Sequence, residues 1–181
     1  MRADKARNQE AVLAAAGRLF DAAAEPDEVS MDAVAAEAGV GKGTIFRGFG
    51  DRRALITALY HQRITAEFAG GPPSPSGTAA TGAADALELL LRTWRFKQRN
   101  RVLALALERE GFGSPYQNEG YEWLHTQLTT LISGVRGAAS ADFLAHALLA
   151  AVRSDLVEHV RGQRGMDPEA GLRALVNAIF A

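Results

Sequence analysis

The hydrophobic residues of this chain recur three and four positions apart along most of its length, which is the spacing of one face of an α-helix. Glycine and proline interrupt this repeat between segments, and nine helical segments can be marked. The first, residues 5–23, has its repeating positions at Val12, Ala16, Leu19, Phe20 and Ala23. The pattern predicts an all-α protein.

Residues 30–53 combine two short helical segments with a tight turn. Ser30 is placed to cap the first segment, and Gly39 breaks the periodicity after it. In a helix-turn-helix, the steep crossing of the helices requires a small residue, and the turn requires a residue that tolerates positive φ. Ala35 and Gly39 meet these two requirements, so the sequence predicts a helix-turn-helix here.

The second short helix, which begins near Gly41, has an apolar and a polar side. It is too short to be stable alone, so it must dock on its neighbours. The docking positions are Val40, Ile45 and Phe49. The opposite side carries Lys42, Thr44 and Arg47. A short helix with its apolar side held and a basic side exposed is suited to reading the major groove of DNA.

Composition divides the chain into a head, a connecting helix, a linker and a body. The head covers residues 1–50, and the connecting helix covers residues 51–69 with Asp51 as its N-cap. Residues 70–82, GGPPSPSGTAATG, have the bias of a linker. Residues 83–181 are expected to form a body of five helices.

Capping signals predict where the body helices begin and end. One helix covers residues 102–110, and residues 114–117, SPYQ, form a capping box that opens the next. Ser140 is expected to cap a helix that runs to about Arg161. The Asp-Pro pair at 167–168 then opens the last helix.

Charge is unevenly distributed in a chain that is nearly neutral overall. The formal net charge of -1 and the pI near 6.4 argue against a nucleic-acid binder if the whole chain is considered. Residues 41–63, however, contain one acid and a local set of cations that could meet phosphates. These cations are Lys42, Arg47, Arg52, Arg53 and Arg63. Such a run is usually only a solvated helix surface. The basic residues within 92–101 suit a helix C-terminus and are assigned no DNA role.

Composition also indicates the fold class and the cellular compartment of the protein. The chain is 48% hydrophobic but only 7% aromatic, which favours helices over sheets. It has no cysteine, so disulfides and thiolate metal sites are excluded. The first ten residues are too polar for a signal peptide, and no apolar run approaches the ~20 residues that span a bilayer. We therefore expect a cytoplasmic protein without a membrane segment.

No motif for catalysis or metal binding is apparent. The chain has no nucleophile elbow, glycine-rich phosphate loop or paired-carboxylate signature. Its histidines, His61, His125, His146 and His159, are far apart and are interpreted as lacking an acid at metal-ligand spacing. The sequence predicts no enzyme activity, no metal site and no cofactor.

Several groups of head residues occur together at characteristic spacing. They are LF at 19–20, SMD at 30–32, VA at 34–35, AGV at 38–40, KGTIFRGF at 42–49 and DRRAL at 51–55. Together they resemble the DNA-binding head of the TetR family of transcriptional regulators, over residues 5–60. The resemblance implies a homodimer that binds double-stranded operator DNA with one recognition helix per subunit. It also implies a body that holds a small-molecule effector, and repression that this effector relieves.

The resemblance carries DNA-contacting roles to six positions. They are Lys42, Gly43, Thr44, Phe46, Arg47 and Arg52. The resemblance implies that Lys42 and Thr44 contact the DNA backbone or base edges, and that Gly43 allows close approach. Phe46 stands where tyrosine is common, and Arg52 matches a phosphate-contacting lysine. Arg47 is the candidate for direct readout, since a bidentate contact to guanine contributes about 1–3 kcal/mol of discrimination.

Three glycines depart from the family pattern at DNA-contact positions. Gly41 replaces Ser or Thr, Gly48 replaces the common His, and Gly50 replaces Pro. Each removes a backbone contact or adds flexibility. A second hypothesis therefore stays open, in which the chain is a helical small-molecule-binding protein or enzyme whose head no longer binds DNA.

The body offers candidates for the effector and dimer surfaces. Aromatic residues among Leu and Ala suggest an apolar pocket, and its candidate lining residues are Trp94, Tyr121 and His125. Aromatic residues at helical spacing are, however, more often plain core. The last two predicted helices are Ala-rich and could pack on a second copy of the chain. Their candidate interface residues are Phe143, Leu144, Ala147, Leu148, Ala151, Val152, Leu172, Leu175, Val176 and Ile179.

Overall fold

A computed structural model describes residues 2–69, 79–109 and 119–181, and these residues form ten α-helices, one short 3-10 helix and no strand. The all-α prediction is confirmed. The helices are α1 Arg2–Ala22, the 3-10 helix Pro26–Glu28, α2 Met31–Ala38, α3 Lys42–Phe49, α4 Arg52–Glu67, α5 Ala79–Arg99, α6 Arg101–Arg109, α7 Glu119–Arg136, α8 Ala138–Ala150, α9 Ser154–Arg161 and α10 Pro168–Phe180. Among the described helices, none combines the length and apolarity needed to cross a membrane.

The helices pack into two compact units. The head unit contains α1 to α4 as far as Ala66, together with Asn100 and α6. The body unit contains Glu67 to Arg99 and the helices α7 to α10. The packing therefore groups α6 with the head, although it lies within residues 83–181, which were expected to form the body.

One hydrophobic core holds the head unit together. Its fully buried side chains come from every helix of the unit, and include Val12, Phe20, Val34, Ile45, Leu55, Ile56 and Leu103. Helix α6 contributes Val102, Leu103 and Ala106 to this core. The Leu/Ala pattern of α6 gave no sign of which core it would join, because an apolar stripe does not identify its partner.

Arginines on α6 reinforce this placement at the turn that follows α1. Arg101 donates a hydrogen bond to the carbonyl of Ala24 at 2.8 Å, and its Nη2 lies 3.5 Å from a carboxylate oxygen of Glu25. Arg109 contacts the other carboxylate oxygen of Glu25 at 3.0 Å. Glu25 thus receives two cations from α6.

In the body unit, α5 contacts α7, α9 and α10, and α7 packs along α8. The core consists mostly of Leu, Ile, Val and Ala, with Leu89, Leu90, Phe96, Leu128, Ile132 and Leu148 fully buried.

Arginines donate hydrogen bonds to the C-termini of two helices, where cations and N–H donors are favoured. Arg92 donates to the carbonyl of Glu67 at the end of α4, and Arg136 donates to the carbonyls of Ala178 and Ile179 at the end of α10.

The predicted caps of three helices are confirmed. The Ser30 hydroxyl accepts a hydrogen bond from the backbone N–H of Ala33 at 3.1 Å. The Asp51 carboxylate accepts from the N–H of Ala54 at 2.7 Å, and that of Asp167 accepts from the N–H of Ala170 at 3.1 Å. Each oxygen satisfies one of the N–H groups that a helix start leaves unpaired.

The predicted helix from Ser140 to Arg161 is wrong, because the chain breaks it into α8 and α9. Arg153 adopts an extended conformation at φ -64 and ψ 146, which starts α9 in a new direction. Its guanidinium pairs with Asp155 at 3.0 Å, and this hydrogen bond holds the pKa of Asp155 below its usual value. No glycine or proline marks the break. Helix α8 begins at Ala138 with Gly137 as N-cap, so Ser140 lies within its first turn.

Two other sequence boundaries are affected. Helix α5 begins at Ala79, so the last four residues of the predicted 70–82 linker are helical. The predicted capping box at residues 114–117 lies outside the described residues.

We expect Gly39→Ala to lower the free energy of unfolding of the head unit by about 1–2 kcal/mol. Gly39 has φ +65, and a Cβ there would meet nothing within 4 Å, so the cost is one of backbone conformation alone. Gly39→Asn is the control at the same position, since Asn tolerates this conformation better. Denaturant unfolding followed by circular dichroism measures both. Equal losses in the two variants would contradict the backbone argument.

Candidate nucleic-acid interface

The turn between α2 and α3 is set by Gly39. This residue adopts the left-handed conformation at φ 65 and ψ 28, and its N–H donates back to carbonyls of α2. The N–H of Val40 donates to the carbonyl of Ala35 at 3.1 Å. These bonds satisfy the last carbonyls of α2 and turn the chain into α3. The predicted role of Gly39 is confirmed.

One side of α3 is buried in the head core, as the sequence predicted. Ile45 is 1% exposed, and Val40 and Phe49 pack against the same core while remaining partly buried. Helix α3 contacts both α1 and α2. The Nε2–H of Gln9 on α1 also lies 3.4 Å from the carbonyl of Gly48, near the end of α3. Packing on two helices therefore fixes both the position and the rotation of α3.

The other side of α3 faces outward and carries most of the predicted DNA contacts. Lys42, Gly43 and Arg47 are exposed, and Thr44 is half-buried. Phe46 is 43% exposed, which is unusual for a large apolar ring. The Nε–H of Arg47 donates to the carbonyl of Gly43 at 3.0 Å, so the guanidinium lies along the helix surface.

Lys42 at the start of α3 is paired with an acid of α2. Its Nζ lies 2.6 Å from one carboxylate oxygen of Asp32 and 2.8 Å from the other. Both side chains are more than half exposed, and exposed pairs of this kind contribute only about 0–1 kcal/mol. A phosphate could therefore replace Asp32 as the partner of Lys42 at little cost.

Arg52 has a structural role that its sequence position did not indicate. Its Nη2–H donates to the carbonyl of Pro26 at 2.7 Å, and its Nε–H donates to the carbonyl of Val29 at 3.1 Å. The half-buried guanidinium thus holds the segment that joins α1 to α2. A phosphate would have to share this side chain with those carbonyls, so the phosphate role predicted for Arg52 stays a prediction.

Arg63, which was expected to belong to the basic patch of residues 41–63, forms its contacts within the head unit instead. Its two terminal nitrogens contact the carboxylate of Asp21 at 2.7 and 2.8 Å, and one of them donates to Asn100 Oδ1 at 2.7 Å. Arg63 therefore acts as a bridge inside the head unit. Of the five cations in the expected patch, Lys42 and Arg47 on α3 and Arg53 on α4 are exposed.

Comparison with known proteins assigns the head. Residues 12–59 match the family model for bacterial regulatory proteins of the tetR family. The head is a TetR-family DNA-binding domain. The match spans α2, the turn and α3, together with about half of α1 and half of α4. Helix α3 and its exposed surface thus lie within the segment that matches the family model.

Solved structures are similar in fold over both the head and the body. A TetR-family transcriptional regulator from Streptomyces coelicolor is 20% identical with a TM-score of 0.66, and the alignment covers 96% of this chain and 78% of that one. A transcriptional regulator from Rhodococcus sp. Rha1 is 22% identical with a TM-score of 0.64, covering 95% and 93%. NalD, the secondary repressor of the MexAB-OprM multidrug efflux pump in Pseudomonas aeruginosa, is 18% identical with a TM-score of 0.57, covering 98% and 95%. None of the curated proteins matches the chain.

The structure brings two of the three predicted ligand-lining residues together. The rings of Tyr121 and His125 stack with centroids 6.2 Å apart on α7. Trp94 is 5% exposed in the buried stripe of α5. The ligand role of all three stays a prediction.

Sequence reasoning missed two partners of the Tyr121–His125 pair, namely His146 and Asp142 on α8. The interpretation of the histidines as isolated from any acid is therefore wrong for His125 and His146. The available signal was the spacing of Asp142 and His146, which are four residues apart and so lie on one face of a helix.

Burial narrows the predicted dimer surface. Leu148, Val152, Leu172 and Val176 are at most 3% exposed within the chain, so their side chains belong to its own core. The other six predicted residues, Phe143, Leu144, Ala147, Ala151, Leu175 and Ile179, are exposed or half-buried. Phe143 and Leu175 are large apolar side chains that are 75% and 47% exposed. These six remain candidates for a partner surface.

Replacing Arg52 should separate its structural role from a purely DNA-contacting one. We expect Arg52→Ala to lower the free energy of unfolding by about 1–3 kcal/mol, because the Val29 carbonyl loses the Arg52 donor and the Pro26 carbonyl keeps only the N–H of Val29. The control is Arg53→Ala, which removes the same charge from an exposed neighbour and should change stability by no more than about 0.5 kcal/mol. Denaturant unfolding of the DNA-free protein measures both. Similar values for the two variants would leave Arg52 without a structural role.

Proposed function

We propose that this protein is a ligand-responsive transcriptional repressor that binds operator DNA as a homodimer. The observation that carries this proposal is the orientation of α3 in a TetR-family head. Its apolar side is anchored by Ile45, while Lys42, Phe46 and Arg47 lie on the exposed side. A helix held in this way can enter the major groove without losing its support.

Each exposed residue of α3 has a chemically distinct task on DNA. Arg47 gives up its bond to the Gly43 carbonyl and donates both guanidinium N–H groups to a guanine. Phe46 packs against a sugar or a thymine methyl group, and it has no hydroxyl to offer a phosphate. Lys42 exchanges Asp32 for a phosphate oxygen. Direct readout thus rests mainly on Arg47, and positioning rests on Lys42.

A homodimer follows from the small size of the reading surface. An eight-residue helix reaches only a few base pairs, so two copies are needed for a specific site. The exposed apolar side chains of α8 and α10, Phe143 and Leu175, support a partner surface on these helices, which contact each other. An exposed Phe of this kind is costly to leave in water.

The effector site belongs in the body unit. Among the described residues, Asp85 Oδ2 on α5 and Thr129 Oγ1 on α7 are buried side-chain oxygens without a hydrogen-bond partner. Helices α5 and α7 pack on each other. Buried polar atoms of this kind are costly unless something satisfies them. They support an effector that offers hydrogen-bond donors within a mostly apolar site.

The effector releases DNA by binding one conformation of the body more tightly than the other. Helix α4 is the proposed lever, because it starts beside α3 and its final residue, Glu67, belongs to the body unit. Coupling of this type is typically about 1–3 kcal/mol, or about 5- to 150-fold in operator affinity. Equal spacing of the two heads with and without effector would rule out this mechanism.

We expect the double variant Lys42→Ala and Arg47→Ala to lose sequence-specific binding to the upstream region of its own gene. The single variant Arg47→Ala should cost about 1–3 kcal/mol, because its bidentate contact to guanine is lost. Fluorescence anisotropy over a series of salt concentrations measures the affinity, which should fall steeply with salt for the unmodified protein.

The matched control for this experiment is Arg18→Ala, which is compared with the single variant Arg47→Ala. It removes the same charge from the head unit, at an exposed residue that pairs with Glu37. The control should retain specific binding. If the unmodified protein binds no DNA from this region above the non-specific level, the alternative of a head that has lost DNA binding is favoured.

We expect Phe143→Asp to convert the dimer into a monomer, because a charge would replace an apolar ring in the partner surface. Met166→Asp is the matched control, since Met166 is 48% exposed and lies outside α8 and α10. Sedimentation velocity at micromolar concentration distinguishes the two states. A monomeric unmodified protein, or dissociation by Met166→Asp as well, would contradict the assigned surface.

A further inference from the structure

Helices α7 and α8 bring together three side chains that are separated in sequence. They are His125 on α7, and Asp142 and His146 on α8. One possible ligand atom from each lies within 4.8 Å of the others. Asp142 and His146 are one helical turn apart and so share a face, as do Tyr121 and His125 on α7. One turn of α7 and one turn of α8 therefore bring imidazole and carboxylate groups close together.

Hydrogen bonds already orient this cluster. The Tyr121 hydroxyl lies 2.6 Å from Nδ1 of His146. A bond at Nδ1 fixes the ring and favours metal coordination through Nε2. The Nε2 of His125 lies 3.2 Å from the carbonyl oxygen of Asp142 and 3.5 Å from its carboxylate oxygen Oδ1. The two imidazoles are thus held beside a carboxylate before any ligand arrives.

We infer that His125, Asp142 and His146 form a binding site for a divalent transition metal of the zinc class. Two imidazole nitrogens and one carboxylate oxygen are a donor set suited to Zn²⁺, and also to Co²⁺ or Ni²⁺. The set contains no thiolate, which disfavours Cu⁺. Three protein donors leave a fourth tetrahedral position for water or another small ligand. Tyr121 would act as a positioning residue through His146.

The required movement is small. The two rings are stacked with centroids 4.0 Å apart and an interplanar angle of 26°. Around a tetrahedral zinc ion with Zn–N distances of about 2.0 Å, ring centroids would be about 5 Å apart. The rings must therefore separate by roughly 1 Å, and the Asp142 carboxylate must turn toward them. If His125 binds through Nε2, this atom must also release the Asp142 carbonyl and give up its proton to solvent. The Asp142 side chain is 71% exposed, so its rotation meets little resistance.

The competing interpretation is that the rings only stack and hydrogen-bond to join α7 to α8. In that case the three donors would have no collective affinity for a metal. The inference does not depend on DNA binding by the head, because all three donors lie in the body unit. A failure of the metal experiment and a failure of the DNA experiment are therefore distinguishable.

The test uses the full-length protein, freed of metal with a chelator and titrated with Zn²⁺ in competition with a chromophoric chelator. The expected result is one Zn²⁺ per chain. His125→Asn and His146→Asn should each weaken binding by at least about tenfold, since removing a ligand costs more than altering its outer-shell partner. Co²⁺ in place of Zn²⁺ should give the visible absorption of a tetrahedral nitrogen-oxygen site, and both variants should lose it.

His159→Asn is the matched control, because His159 is an exposed histidine of the body unit that contacts Gln163 rather than the cluster. Its affinity for Zn²⁺ should stay within about twofold of the unmodified protein. Asp142→Asn gives a further check with an exposed residue, and it should weaken binding without changing the circular dichroism spectrum. The inference is overturned if the unmodified protein binds no stoichiometric Zn²⁺, or if His159→Asn weakens binding as much as the cluster variants.

Discussion

The head depends on the burial of one side of α3. This helix has eight residues and is too short to persist alone in water, so its helical state comes from docking. Ile45 supplies the fully buried contact, and the partly buried Val40 and Phe49 flank it. The same contact determines which side of α3 remains outside. Folding of the head and presentation of Lys42, Phe46 and Arg47 are therefore one event.

The turn that follows α1 is a second point on which the head relies. Arg52 donates to two of its carbonyls, Arg101 donates to a third, and Glu25 receives both Arg101 and Arg109. Arginine suits this work because its planar guanidinium offers several donors in a fixed arrangement. Two cations of the basic patch expected from the sequence, Arg52 and Arg63, are thus engaged within the head unit. Arg47 is the arginine that α3 itself exposes.

The body combines a mostly apolar core with a few polar groups in particular places. Asp85 and Thr129 each bury an oxygen that has no partner among the described residues, and the α7–α8 contact gathers two histidines with a carboxylate. Buried polar atoms without a partner are costly, so Asp85 and Thr129 require a reason, whereas the Asp142 side chain is exposed. The proposed effector would hydrogen-bond to Asp85 and Thr129, and the proposed metal ion would bind the two histidines and the carboxylate. These are separate chemical features and need not serve the same ligand.

The sequence by itself determined what depends on near neighbours in the chain. The all-α fold, the helix-turn-helix with Gly39, the caps at Ser30, Asp51 and Asp167, and the docking of α3 all follow from local spacing and backbone preference. Only the tertiary structure decided which core α6 joins and where α8 ends. It also decided that Arg52 and Arg63 hydrogen-bond within the head, and that His125 lies beside Asp142 and His146. Those outcomes depend on which helices pack against each other. An amphipathic stripe indicates that one face of a helix is buried, but it does not identify the helix that covers this face.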